Sequence, residues 1–171
     1  MWLCYAFACA VRGDTYERIN IMTVQEFIAT GTEKATADLL KAFEHTTPEK
    51  RGWEPEGARS ARNVVAECAI MADGVAGIVK EGKVPDFDMA KFYADMAALD
   101  TDEKATAALK AGTEKLVGVI KAIPDNKLDT LIESPWGSYS TAAWAAHAIT
   151  HNSYHEGQVN YIQTLYGDKG F

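Results

Sequence analysis

The stretch Trp144-Ala145-Ala146-His147-Ala148-Ile149-Thr150-His151-Asn152-Ser153-Tyr154-His155-Glu156-Gly157-Gln158-Val159-Asn160-Tyr161-Ile162 decides how this chain is read. Stepping along it by three and four, Trp144, Ala148, His151, His155, Val159, Ile162 and then Leu165 fall on one stripe of an α-helix. His151 and His155 hold places on that stripe that a packed core gives to leucine. One turn apart, with about 6 Å between their backbone positions, they can aim ring nitrogens at a common ion. His147 stands one turn earlier on the same face. At about 1.5 Å of rise per residue the three histidines span about 12 Å, so one ion takes either the upper or the lower pair.

A metal site needs more than two imidazoles, and the second helical segment offers a third donor. Its stripe of Ala61, Val64, Cys68, Met71, Val75 and Ile78 alternates cleanly by three and four. Glu67 lies about 40° round the wheel from Met71, on the shoulder of that stripe, where a charge is costly unless paired or ligated. Glu67 is therefore the candidate third ligand, the plainer alternative being a carboxylate on the helix surface. Two His and one carboxylate leave positions for water or substrate and accept Zn, Ni, Fe(II) or Mn. Cys68 points about 100° away from Glu67, into the expected core, and reads as a buried thiol rather than a nucleophile.

The rest of the chain fits an all-α four-helix bundle. With 171 residues, 47% of them hydrophobic, it is large enough for one domain with a real core. The first helix is expected over about Thr23 to Glu44, with Phe27, Ala35, Leu39 and Phe43 among its apolar positions. Thr23-Val24-Gln25-Glu26 has the form of a capping box. The second runs from about Ser60 to Lys80, and a short ambiguous stretch through Phe92 and Met96 follows Gly82 and Pro85. The third runs from about Thr101 to Ile123, opened by acidic residues suited to the positive end of its dipole. The fourth is expected from about Ser138 to Tyr166, after a turn at Pro135-Trp136-Gly137.

Residues 1–21 read as an N-terminal extension and 22–171 as the domain proper. Met1 to Val11 is apolar and ends near Ala8-Cys9-Ala10, but it lacks a basic start, so a secretory leader is not expected. No apolar run reaches the length of about 20 residues that a membrane span needs. Cys4, Cys9 and Cys68 show no paired spacing, which fits a reducing cytoplasm. A net charge of −7 and the lack of any basic run argue against a nucleic-acid partner.

Two segments resemble the DinB (damage-inducible) superfamily of metal-binding four-helix proteins. Trp53-Glu54-Pro55-Glu56-Gly57-Ala58-Arg59-Ser60 followed by Val64-Val65-Ala66-Glu67 is similar to the entry to that family's second helix. Pro135-Trp136-Gly137, then Trp144-Ala145-Ala146-His147, then His151 through Gln158 is similar to its closing His-x3-His-x-Gly-Gln helix. The resemblance selects His151 and His155 over His147 as ligands, since Gly157 and Gln158 follow His155 in the matching frame. His147 then becomes a candidate proton shuttle or pocket wall, and Gln158 a candidate for orienting a ligand. Where the family carries a histidine in the second helix, this chain has Glu67, whose charge lowers the Lewis acidity of a bound ion.

Further expectations follow from the likeness and from single residues. The resemblance implies a metal-dependent enzyme, a transferase, isomerase or hydrolase acting on a small-molecule substrate, in which the ion activates a low-molecular-weight thiol or water. It also implies a homodimer formed through helix packing. The alternative is a non-catalytic stress-response protein in which the ion ties the second and fourth helices together; direct DNA binding is a third and weakest reading. Trp53, Trp136, Tyr139 and Trp144 could wall an apolar pocket over the ion. Gly157 in mid-helix suggests close approach of a neighbouring helix. Asp86, Asp88 and the acids near Asp100 read as solvated loop charges.

Overall fold

A computed structural model describes residues 22–168. The extension expected over 1–21, with Cys4 and Cys9, lies outside the described residues. Four long helices carry the architecture: α1 (Val24–His45), α3 (Ala61–Glu81), α5 (Asp102–Lys121) and α7 (His147–Leu165). Shorter elements join them: α2 (Pro48–Arg51), α4 (Met89–Ala98), a 3-10 turn at Asp125–Lys127, a hairpin of β1 (Leu131–Ser134) and β2 (Gly137–Ser140), and α6 (Thr141–Ala145).

Local chemistry sets the helix ends. At α1 the capping box forms as expected: the Glu26 amide donates to Thr23 Oγ1 at 3.1 Å and the Thr23 amide to Glu26 Oε2 at 2.7 Å. Ser60 caps α3 by accepting from the Asn63 amide, and Gly82 ends it in the left-handed conformation at φ 67°. Asp88 caps α4 and Thr101 caps α5.

The fourth segment departs from the expected single helix. Ser138, Tyr139 and Ser140 belong to β2, paired antiparallel with β1 in the register Leu131↔Ser140 and Ser134↔Gly137. The polar-aromatic alternation of those residues suits a pleated edge, and the turn at Pro135-Trp136 closes it. Ser140 then caps α6. At Ala146 the α-ladder tightens, the Ile149 amide bonding the Ala146 carbonyl three residues back, and α7 starts at His147.

The bundle is a ring in which α5 packs on α3 and α1, and α7 packs on α1 and α3. The successive long helices α1 and α3 meet only lightly, since each packs mainly on α5 and α7. Gly112 lets α5 approach α3 closely: a Cβ there would lie 3.0 Å from the Ala69 carbonyl oxygen. Two apolar clusters fill the interior, one toward the hairpin (Ile28, Val75, Ile120, Ile132, Trp144) and one toward α2 (Leu39, Phe43, Val64, Leu109, Val159). A buried polar group crosses the bundle as well: Thr36 Oγ1 lies 3.1 Å from Thr113 Oγ1 and accepts from Asn152 Nδ2 at 3.0 Å. Phe27, by contrast, is exposed. No described helix is long and apolar enough to cross a membrane.

Candidate metal centre

Packing of α7 on α3 brings all three expected ligands together. His151 Nε2 lies 3.8 Å and His155 Nε2 3.5 Å from the same carboxylate oxygen, Glu67 Oε1. The other oxygen, Oε2, is ion-paired with Arg59. Glu67 is thus inside the site and not on the helix surface, its side chain 17% exposed.

Orientation comes from the next residues out. His155 Nδ1 donates to Gln158 Oε1 at 2.7 Å, and Arg59 Nη2 donates to that oxygen at 3.4 Å. Two donors on Oε1 fix the amide's sense, and Gln158 Nε2 in turn donates to the Tyr154 hydroxyl at 2.9 Å. With its proton on Nδ1, His155 turns a bare Nε2 lone pair toward Glu67. Burial, above all, pushes the His151 pKa down to about 4, with His155 and Arg59 adding to it. Burial also lowers His155 and His147, so all three rings are neutral at pH 7.

At His155, then, an acceptor faces an acceptor. Its bare Nε2 confronts the carboxylate oxygen at 3.5 Å, and His151 Nε2 stands 3.8 Å from the same oxygen, too far for a hydrogen bond. An N/N/O donor set of this kind is one that a divalent cation accepts.

Cys68 stands differently from the expectation. It is fully buried, as expected, but its Sγ lies 3.8 Å from His151 Nδ1. Cys68, His151 and His155 each offer a ligand atom within 4.8 Å of the others. The helical wheel of α3 alone missed this, because α7 crosses over both Glu67 and Cys68. Burial pushes the thiol up to about 12.

His147 packs its ring 5.2 Å from that of His151 and 6.2 Å from Trp144. Together with Trp136, Tyr139, Trp144 and Thr150 it lines a pocket of about 420 Å³. Trp53 lies elsewhere, edge-on to Tyr166, and so does not belong to this wall. A second groove, of about 520 Å³, runs past Arg59, Tyr154, Gln158, Tyr161, Ile162 and Leu165. Gly157 opens onto that groove: a Cβ there would meet nothing within 4 Å, so no helix approaches it.

One further expectation needs correction. Asp102 is not a solvated loop charge: Arg51 Nη1 reaches its Oδ2 at 3.2 Å and Arg62 Nε its Oδ1 at 2.7 Å, joining α2 and α3 to the start of α5. Arg59 was not singled out, though a carboxylate on an apolar shoulder asks for a cation, and Arg59 lies two turns upstream of Glu67.

No curated protein matches this sequence. Among solved structures, YfiT from Bacillus subtilis, described as a probable metal-dependent hydrolase with an unusual four-helix bundle topology, superposes with a TM-score of 0.70 at 15% identity, covering 84% of this chain and 87% of that one. The colibactin self-resistance protein ClbS, solved with double-stranded DNA, gives 0.66 at 18% identity, covering 81% and 94%. A mycothiol-dependent maleylpyruvate isomerase gives 0.64 at 11% identity, covering 79% of this chain and 60% of that one. At these identities the likeness establishes the fold. The family description that matches by sequence, over residues 32–159, is the DinB superfamily. Covering α3 and most of α1 and α7, that match joins the bundle topology in one conclusion: the chain belongs to the DinB superfamily.

Proposed function

We propose that this protein is a metal-dependent enzyme whose divalent ion is held by Glu67 Oε1, His151 Nε2 and His155 Nε2. The observation that carries this reading is the convergence of two imidazole nitrogens on one carboxylate oxygen at 3.5 and 3.8 Å. A cation there supplies Lewis acidity, which lowers the pKa of a low-molecular-weight thiol or a water molecule. Zn, Ni, Fe(II) and Mn all accept such a donor set.

The chain's own residues supply the rest. Gln158 holds the His155 proton on Nδ1. Trp136, Tyr139 and Trp144 give an electrophilic substrate an apolar wall, and the neutral His147 in the same wall has a ring nitrogen free to take a proton from the nucleophile. Transfer to a thiol and hydrolysis share these parts; the mycothiol-dependent isomerase and YfiT support one each. Elemental analysis of the purified protein tests the site: about one ion per chain in the native protein, and none in Glu67→Ala or His155→Ala, is expected. Full metal content in both variants overturns the reading.

One observation favours a second reading, a non-catalytic protein in which the ion ties α3 to α7. Cys68 Sγ, 3.8 Å from His151 Nδ1, makes with the two imidazoles a second donor set, whose ligand atoms lie within 4.8 Å of one another. Cobalt substitution separates the two: a thiolate-to-cobalt charge-transfer band supports the closed site, and its absence the open one. DNA binding, seen in the ClbS complex, is not proposed. Lys34, Lys91, Lys104 and Lys115 are each paired with an aspartate, on a chain of net charge −7. Salt-sensitive binding of a duplex in an anisotropy titration would reverse that judgement.

A further inference from the structure

Arg59 carries a charge that the metal reading leaves unbalanced. In the structure its guanidinium is matched by the Glu67 carboxylate, so the pair sums to zero. A divalent ion on Glu67 and the two histidines leaves a surplus of two positive charges in a partly buried site. Nothing else in the immediate cluster is negative.

The surroundings of Arg59 say what relieves the surplus. Its side chain is 42% exposed, so part of the guanidinium faces outward. It lines the 520 Å³ groove together with Val64, Tyr154, Tyr161, Ile162 and Leu165, and it is the one charged residue of that lining. Tyr154 and Tyr161, each 65% exposed, and Leu165, 47% exposed, flank the groove with apolar surface that no described element covers. One cation in an apolar trough is a receptor for an anion with a hydrophobic body.

We propose that this groove binds an amphipathic monocarboxylate, its carboxylate on the outward edge of Arg59 and its apolar body along Tyr154, Tyr161, Ile162 and Leu165. Arg59 is then a specificity-determining residue, and the proposal rests on the metal reading only for its coupling: carboxylate and ion each raise the other's affinity by the same factor. Gly157 belongs to this design, because its missing side chain keeps the trough open beside Gln158.

Calorimetric titration with zinc, in the absence and presence of 4-phenylbutyrate, tests the proposal, the zinc affinity of phenylbutyrate itself being subtracted. In the native protein the carboxylate is expected to tighten zinc about tenfold. Arg59→Gln is expected to bind zinc with no response to the carboxylate, while Arg59→Lys keeps part of the response. Gly157→Leu, which fills the trough and leaves every charge in place, is expected to bind zinc normally and lose the response. Equal tightening in the native protein and Arg59→Gln, or no tightening in the native protein, overturns the proposal. If the native protein takes up no zinc, the metal reading fails by itself. The groove is then judged by shifts of the tyrosine ring resonances on adding phenylbutyrate: shifts that vanish in Arg59→Gln uphold it, and no shifts overturn it.

Discussion

Glu67 and Asp102 are two carboxylates of nearly equal exposure, 17% and 19%, each gripped by arginine, and they have opposite meanings. Asp102 has a donor on each oxygen, Arg62 at 2.7 Å and Arg51 at 3.2 Å, and it sits in the first turn of α5, where the helix dipole favours its charge. Its valences are closed, and its work is to hold α2, α3 and α5 together. Glu67 is ion-paired through Oε2 and turns Oε1 toward two imidazole nitrogens, the nearer of which, His155 Nε2, has no proton to give. Burial and an ion pair do not tell two such acids apart; what stands opposite the second oxygen does.

The largest effect that could break this contrast is on metal affinity. His155→Ala and Glu67→Gln should each weaken zinc binding by about a hundredfold or more, above the 10–100-fold that follows from losing an outer partner. Asp102→Asn should leave zinc affinity unchanged in the same titration. A comparable loss in Asp102→Asn would mean that the two acids are not distinct in role.

Stability should split the pair the other way. Asp102→Asn removes a charge shared by two part-buried guanidinium groups and should cost about 1–2 kcal/mol, seen as a fall in Tm of about 2–6 °C. Glu67→Gln should leave the metal-free protein as stable as the native one or slightly more so. Its amide can place an N–H donor opposite the His nitrogens, where the carboxylate places only lone pairs. Thermal unfolding of both variants in chelator reads the difference directly.

Acid sensitivity sharpens the contrast further. The His151 pKa is pushed from 6.5 to about 4 in the folded chain, and His147 and His155 are lowered as well. The unfolded chain therefore binds protons that the folded one refuses. This contribution is fully present above about pH 6.5 and is lost as pH falls toward 4. Because the His151 ring is partly open to solvent, a loss of about 1 kcal/mol is expected rather than the full shift. His151→Gln should flatten the metal-free stability curve between pH 6.5 and 4, and an unchanged slope would remove His151 as its source.

How much of this the sequence carried depends on whether one helix or two decided the answer. The three-four stripe of α3, the face of α7 from Ala148 to Ile162 and the capping box at Thr23 are readable because each is a property of a single element, whereas Phe27 and Leu165, expected on inward faces, are exposed. Glu67 was readable because an acid on an apolar shoulder is costly whichever helix faces it. The Cys68–His151 contact was not, since the α3 wheel cannot say that α7 crosses there. Arg59 was hidden by the loop that sets its direction, and its nearer neighbour Arg62 turns instead to Asp102. The helix expected from Ser138 turned out to be a hairpin strand. Three residues are too few to show a period, and the alanines around Ala146 carry no mark of the break between α6 and α7.

Gly157 is where a single-helix rule misled and where the smallest test lies. A glycine inside a helix costs about 1 kcal/mol against alanine, and the usual compensation is a neighbour packed against its backbone. Gly31 and Gly112 fit that pattern: a Cβ would lie 2.8 Å from Ile149 Cδ1 in the first and 3.0 Å from the Ala69 carbonyl oxygen in the second. At Gly157 a Cβ meets nothing within 4 Å, so packing does not explain the residue. Gly157→Ala should therefore raise the stability of the protein by up to about 1 kcal/mol, while Gly112→Ala in α5 lowers it because the Ala69 carbonyl belongs to a helix, α3, that cannot give way. If Gly157→Ala is instead destabilising, something closes over the groove in solution, and the trough beside Arg59 is not open to a ligand.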